Sequence, residues 1–175
     1  MSIKKVVVIG PESTGKSTLS EDLAAELNTA FVPEFAREYL LSINRAYNED
    51  DLLTIARQQL QTEDDLQAQA SELLICDTDL NVIKVWSEHS YNRCNRWILE
   101  QIAEKKYDLY LLTDIDMIWE SDPLREHPEE HMRLYFYNQY RDIVINSGVP
   151  WVHVHGDRLQ RLDKALIAIH QILQT

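Results

Sequence analysis

Gly10-Pro11-Glu12-Ser13-Thr14-Gly15-Lys16-Ser17 stands directly after the apolar run Val6-Val7-Val8-Ile9 and just before leucines that recur every four residues. Its pattern, G-x-x-x-x-G-K-[ST], is the Walker A phosphate loop. The spacing follows from anion chemistry. Successive backbone N–H groups fold inward around phosphate oxygens, Lys16 reaches the β/γ-phosphates, and the Ser17 hydroxyl meets Mg²⁺. A helix beginning at this point completes the anion site with its own unpaired N–H groups. Two of the four glycines in the whole chain fall in this octapeptide. A chance match at average residue usage has odds of about one in a hundred, and here it also sits between a strand and a helix. Gly10, Glu12, Ser13, Thr14, Gly15, Lys16, Ser17 and Thr18 are the expected ATP-binding residues.

Outward from the loop, apolar runs rich in Val, Ile, Leu or aromatics punctuate the chain at Ile3 to Ile9, Ala30 to Val32, Leu73 to Cys76, Leu109 to Leu112 and Trp151 to Val154. Longer stretches with helical spacing separate them, the alternation of an α/β fold with a parallel sheet of about five strands flanked by helices. Leu19, Leu23 and Leu27, and likewise Leu159, Leu162, Leu166, Ile169 and Leu173, place apolar stripes on two covering helices. A polar helix is expected from Asp51 to about Glu72, and another from Glu129 to Ile145 that Gly148 and Pro150 stop. The most polar stretch, residues 114–131, reads as a mobile insertion, and residues 1–175 as a single domain.

Composition narrows the function. A chain of 175 residues, 45% hydrophobic and 26% charged, is neither disordered nor fibrous. Its formal net charge of −12 repels phosphate backbones and anionic membranes, so neither nucleic acid nor membrane is an expected partner. Self-association into a homo-oligomer is left open. Cys76 and Cys94 do not form a secreted disulfide framework and are expected as reduced thiols in a cytoplasmic protein. Lys4-Lys5 and the valines after them look like the start of a signal peptide, but the apolar stretch ends at Gly10. Neither export nor membrane insertion is expected.

A phosphate loop needs acids near its metal, and Leu74-Ile75-Cys76-Asp77-Thr78-Asp79 supplies two at the end of a strand. If the strand continues that far, Asp77 and Asp79 point to the same side and both face the phosphates; the other reading makes Asp79 the cap of the next helix. Asp77 is the stronger metal-site candidate, with Ser17. After the second strand, Pro33 forces an extended exit, and Glu34 and Arg37 lie three apart on one helix face, at the edge where doubly wound sheets bind ligands. Their alternative is a surface ion pair. Arg125, followed by Arg133 and Arg141, fits a lid over phosphates, since phosphoryl transfer spreads negative charge that a guanidinium meets. Trp119, in a polar stretch with little core to enter, fits either ligand stacking or local packing. Tyr135, Phe136, Tyr137 and Tyr140 are read as helix packing. The pairs His127/His131 and His153/His155 have ligand-like spacing but no third ligand, and are read as solvated or structural.

Taken together, Gly10 to Ser17, Pro33-Glu34-Phe35-Ala36-Arg37-Glu38-Tyr39, Asp77-Thr78-Asp79 and Trp119-Glu120-Ser121-Asp122-Pro123-Leu124-Arg125 resemble the nicotinamide riboside kinase domain of the NadR proteins. The resemblance spans nearly the whole chain. It implies a P-loop kinase fold with strand order 2-3-1-4-5, a lid at about 114–131, and ATP- and Mg²⁺-dependent phosphorylation of nicotinamide riboside in NAD biosynthesis. Carried over, Lys16, Asp79 and Arg125 are the catalytic residues, Ser17 and Asp77 the metal residues, and Glu34, Arg37, Trp119 and Asp122 the acceptor-binding residues. Fuller NadR proteins carry an adenylyltransferase domain ahead of the kinase, and that activity is not expected of these residues. Pro123 stands where the family's lid often has glycine, which stiffens the turn. The expected partner is a small nucleoside. The rival readings are a kinase for another nucleoside or metabolite, an ATPase driving a partner, and a nucleotide-binding regulatory module.

Overall fold

Val6, Val7, Val8 and Ile9 are all fully buried, which is possible only for a strand covered on both faces. They belong to β1 (Lys4–Ile9) in a computed structural model that describes residues 3–174. The chain continues through α1 (Lys16–Glu26), β2 (Phe31–Val32), α2 (Phe35–Ile43), α3 (Glu49–Gln67), β3 (Leu73–Asp77), α4 (Leu80–Tyr91) and α5 (Arg96–Glu104). It closes with β4 (Leu109–Thr113), α6 (Glu130–Asn146), β5 (Trp151–Val154) and α7 (Arg158–Leu173). The five strands form one parallel sheet in the order β2-β3-β1-β4-β5, as expected. Val8 pairs with Asp77 on one side and Leu111 on the other, so the ends of β3 and β4 flank the phosphate loop.

Alternation along the strands makes two cores. Val6, Val8, Ile75 and Leu111 face α1 and α7, packing on Leu19, Leu23, Ala165 and Ile169. Val7, Ile9, Cys76 and Leu112 face α4 and α6, packing on Val82, Val85, Phe136 and Val144. Full burial of each such aliphatic side chain is worth about 1.5–3 kcal/mol. A third core lies off the sheet, where Leu52, Ile55 and Leu60 of α3 meet Leu80 and Ile83 of α4 and Ile98 of α5.

The expected polar helix starts earlier and stops earlier than its periodicity indicates. Asn48 accepts the N–H groups of Asp50 and Asp51 while the Asp51 carboxylate takes Asn48 N–H at 2.8 Å, a capping box that starts α3 at Glu49. Its last turn closes at Ala68 to Ala70 to reach β3. Cys94 lies between α4 and α5, just past Asn92 at φ +54°. Residues 114–129 carry neither helix nor strand. Among the described residues, no helix is long and apolar enough to cross a membrane.

Candidate functional site

Two glycines give the phosphate loop its shape. A Cβ on Gly10 would lie 2.2 Å from Thr113 Oγ1 and 2.9 Å from Thr113 O, and Gly15 takes φ +74°, a left-handed conformation. Between them, Thr14 Oγ1 donates to Pro11 O at 2.8 Å and is joined to Thr113 Oγ1 at 2.7 Å. Lys16 Nζ also donates to Pro11 O at 2.8 Å, which curls the lysine back over the loop. Ser17 and Thr18 open α1 and are exposed.

The main cleft extends from this loop along α2, α3 and α4. Gly10, Glu12, Ser13, Thr14, Gly15, Lys16, Ser17 and Thr18 line one end; Glu34, Arg37, Tyr47, Leu52, Ile83 and Trp86 line the other, with Arg125 and Glu126 above. Most expected site residues therefore meet in one place. Asp77 ends β3 beside Ser17, with Oδ1 buried and without a hydrogen-bond partner in the protein. Burial and then the nearby Glu34 charge push its carboxyl up, against Lys16 and Ser17, which pull it down. A buried carboxylate oxygen next to a hydroxyl is a donor set that suits a hard cation such as Mg²⁺. Burial likewise pushes the Glu12 carboxyl up, while the Glu126 N–H, 3.1 Å from Glu12 Oε2, opposes the shift.

Glu34 stands at the N-cap position of α2 without a side-chain cap bond, and Arg37 pairs with Asp122 instead of with Glu34. Asp122 is thus held by Arg37 and by Leu124 N–H at 3.0 Å, a tie between α2 and the 114–129 segment. Arg125 Nη1 donates to Glu120 O at 2.6 Å and comes within 3.4 Å of Ser13 Oγ, so it lies over the phosphate loop. Arg133 reaches Met117 O, whereas Arg141 lies beside Asp142.

Two expectations need correcting. Asp79 does not share the site with Asp77, because Thr78 at φ +72° ends the extended backbone and breaks the alternation. Asp79 caps α4: Oδ1 takes Asn81 N–H at 3.0 Å, and Oδ2 takes Tyr110 O–H at 2.8 Å and the Asn81 amide at 2.7 Å. It opens onto a separate small cavity with Lys105 and Tyr107. Trp119 does not line the main cleft either. Arg133 lies 5.7 Å over its ring, and the ring borders a minor cavity with Pro11, Glu12 and His127. The aromatic walls of the main cleft are Tyr47, Trp86 and Tyr140. Sequence reasoning passed over Tyr47 and Trp86, although Val82, Ile83 and Trp86 form one helix face following the strand-end acids. His127 stacks on Trp86 at 5.7 Å and His153 Nε2 lies 3.0 Å from Asp114, so these histidines belong to different neighbourhoods.

A Walker A loop between the first strand and first helix of a parallel 2-3-1-4-5 sheet defines a P-loop protein of the kinase-like fold. The chain belongs to the AAA-domain family, whose model matches residues 5–161. It is 28% identical over 156 residues to the trifunctional NAD biosynthesis/regulator protein NadR of Salmonella typhimurium (strain LT2), covering 87% of this chain and 38% of that protein. The chain thus spans well under half the length of this relative. Among solved structures, it resembles a NadR protein in complex with NAD and AMP-PNP, at TM-score 0.76 and 25% identity, over 99% of this chain and 50% of that one. A NadR protein in complex with NR matches with TM-score 0.77 and 24% identity over the same shares. Thymidylate kinase from Ehrlichia chaffeensis shares the fold at TM-score 0.63 and 14% identity, with 99% of this chain and 100% of that one covered.

Proposed function

We propose that the protein is a Mg²⁺-dependent kinase that transfers the γ-phosphoryl group of ATP to the 5′-hydroxyl of nicotinamide riboside, a step of NAD salvage in the cytoplasm. The observation that carries this reading is the single cleft lined by the phosphate loop, by aromatic walls and by the carboxylates of Glu12, Glu34 and Glu126. Aromatic faces and acids together favour a cationic ring such as a pyridinium. The NadR likeness, in sequence and in structures bearing NR and an ATP analogue, supports the same acceptor.

Ser17 and Asp77 would hold the magnesium ion, which when bound draws charge from the β- and γ-phosphate oxygens. Lys16 leaves Pro11 O for the phosphates, exchanging one oxygen partner for another. Glu34, at the cleft end of β2, orients the acceptor hydroxyl and takes its proton as the oxygen attacks the γ-phosphorus; the β–γ bridging oxygen leaves on ADP with the bonding pair. Asp79, committed to its cap, is replaced by Glu34 in this role. Residues 114–131 act as the lid, with Arg125 meeting charge on the transferred group and Arg37–Asp122 joining the lid to the acceptor end of the cleft. Trp86 and Tyr47 flank the nicotinamide ring.

The test is ADP release with nicotinamide riboside and a panel of uncharged nucleosides. Release should rise at least tenfold with nicotinamide riboside, because a closed lid protects ATP from water until the hydroxyl is in place. Rapid ADP release that no nucleoside accelerates would leave an ATPase as the better description.

A further inference from the structure

Arg161, in the first turns of α7, takes no part in the steps above, yet it is only 4% exposed. A guanidinium held away from water is costly unless it is paired and fully hydrogen-bonded. Arg161 is paired, and each of its three nitrogens donates a hydrogen bond, to partners that come from three separate loops. Nε donates to Gly156 O at 2.8 Å, Nη1 to Thr14 O at 2.8 Å, and Nη2 to Asp114 O at 3.4 Å and to the Asp116 carboxylate. The second Asp116 oxygen takes Gly156 N–H at 2.6 Å. Burial opposes the Asp116 charge, but the Gly156 N–H and Arg161 outweigh it and hold that carboxyl below its usual range.

The bond to Thr14 O bears on phosphate binding. In a planar trans peptide the C=O and the following N–H point in opposite directions. With Thr14 O turned to Arg161, the N–H of Gly15 is turned away from Arg161, and Gly15 is itself among the residues that line the cleft. Backbone N–H groups of this kind are what a phosphate cradle consists of. Gly15 at φ +74° has no side chain to hold that peptide in place; the Thr14 hydroxyl anchors one side of it, and Arg161 is the group that holds its carbonyl.

We infer that Arg161 is a positioning residue that fixes the Thr14–Gly15 peptide for phosphate and, through Asp116, ties the phosphate loop to the root of the lid. The inference rests on the reading of the cleft as an ATP site. It predicts a defect confined to phosphate-bearing ligands.

Calorimetric binding of Mg²⁺-ATP, inorganic triphosphate and nicotinamide riboside separates this from a general structural role. Arg161→Met should weaken ATP and triphosphate by about tenfold or more, while nicotinamide riboside changes by less than about twofold. Arg161→Lys should recover only part of the loss, because one ammonium cannot reach three loops as a planar fork does. Asp116→Asn keeps the guanidinium, loosens its anchor, and should show a smaller defect of the same kind, a reading that survives if Arg161→Met fails to fold. Ala168→Gly weakens α7 at a buried position that faces the sheet and should leave all three affinities unchanged. Wild-type affinity for triphosphate in both Arg161→Met and Asp116→Asn would overturn the inference alone. So would equal loss for all three ligands in Arg161→Met matched by Ala168→Gly. Wild-type protein that binds neither ATP nor triphosphate would instead overturn the function proposed above.

Discussion

Asp51 is 3% exposed and serves two structures at once. Its carboxylate takes both Arg45 Nη atoms, at 2.6 and 2.8 Å, Tyr39 O–H at 2.8 Å, and the Asn48 N–H that starts α3. Arg45 first, then Tyr39 and Asn48, outweigh burial and hold the carboxyl far below its usual range. A depressed folded value means that the charged form stabilises the fold above the unfolded pKa, and that this contribution is lost as pH falls below about 4. Asp51→Asn should therefore cost about 1–2 kcal/mol at pH 7, the scale of a lost cap, and the gap to wild type should narrow at pH 3. Urea unfolding at the two pH values measures it; an equal gap at both would mean that charge is not what Asp51 contributes. The loop between α2 and α3, which Asp51 holds through Arg45 and Asn48, carries Tyr47, whose O–H meets Ser90 Oγ at 3.2 Å and whose carbonyl takes Tyr91 O–H at 3.1 Å. Asp51→Asn should thus also raise the acceptor KM with kcat largely kept.

Among the elements, α4 and the 114–129 segment each carry a tryptophan, in different surroundings. Trp86 belongs to α4 and lines the cleft, whereas Trp119 lies beneath Arg133 within the lid segment. Trp86→Leu should raise the KM for nicotinamide riboside by about five- to tenfold, with a smaller change for an uncharged nucleoside, since a cation–π contact is worth about 1 kcal/mol. Trp119→Leu should instead lower kcat alike for every acceptor, because it loosens the lid. The reverse pattern in steady-state kinetics would return the ring-binding role to Trp119. These elements also show what a sequence reveals. β1, β5 and the phosphate loop were legible because their information is local: an apolar run, fixed glycines, a helix start. Asp79 and Trp119 were misplaced because a single left-handed residue, Thr78, and an arginine 14 positions along, Arg133, decide where they go. Tyr47 and Trp86 reach the cleft only when α3, α4 and the α2–α3 loop pack, a tertiary event with no motif of its own.

On the scale of the whole molecule, a net charge of −12 coexists with Lys16, Arg37 and Arg125 gathered in one cleft. Binding there couples to global stability. At a hundred times its Kd, Mg²⁺-ATP should stabilise the fold by about 2.7 kcal/mol, a Tm rise of roughly 5–10 °C for a chain of this size. Lys16→Ala should melt within about 2 °C of wild type without ligand, because Lys16 packs in no core, yet lose most of the ATP-induced rise. An undiminished shift in Lys16→Ala, read by calorimetry, would move the phosphate site elsewhere. The cleft also follows a seam. Its phosphate end is built on the sheet and its two cores, while Leu52, Ile55 and Ile83 at the acceptor end belong to the separate core of α3, α4 and α5. On the proposed reading, substitutions that reshape the helical core would change the acceptor half of the cleft and leave the phosphate half, built on other cores, intact. Selection can thereby act on the two halves separately.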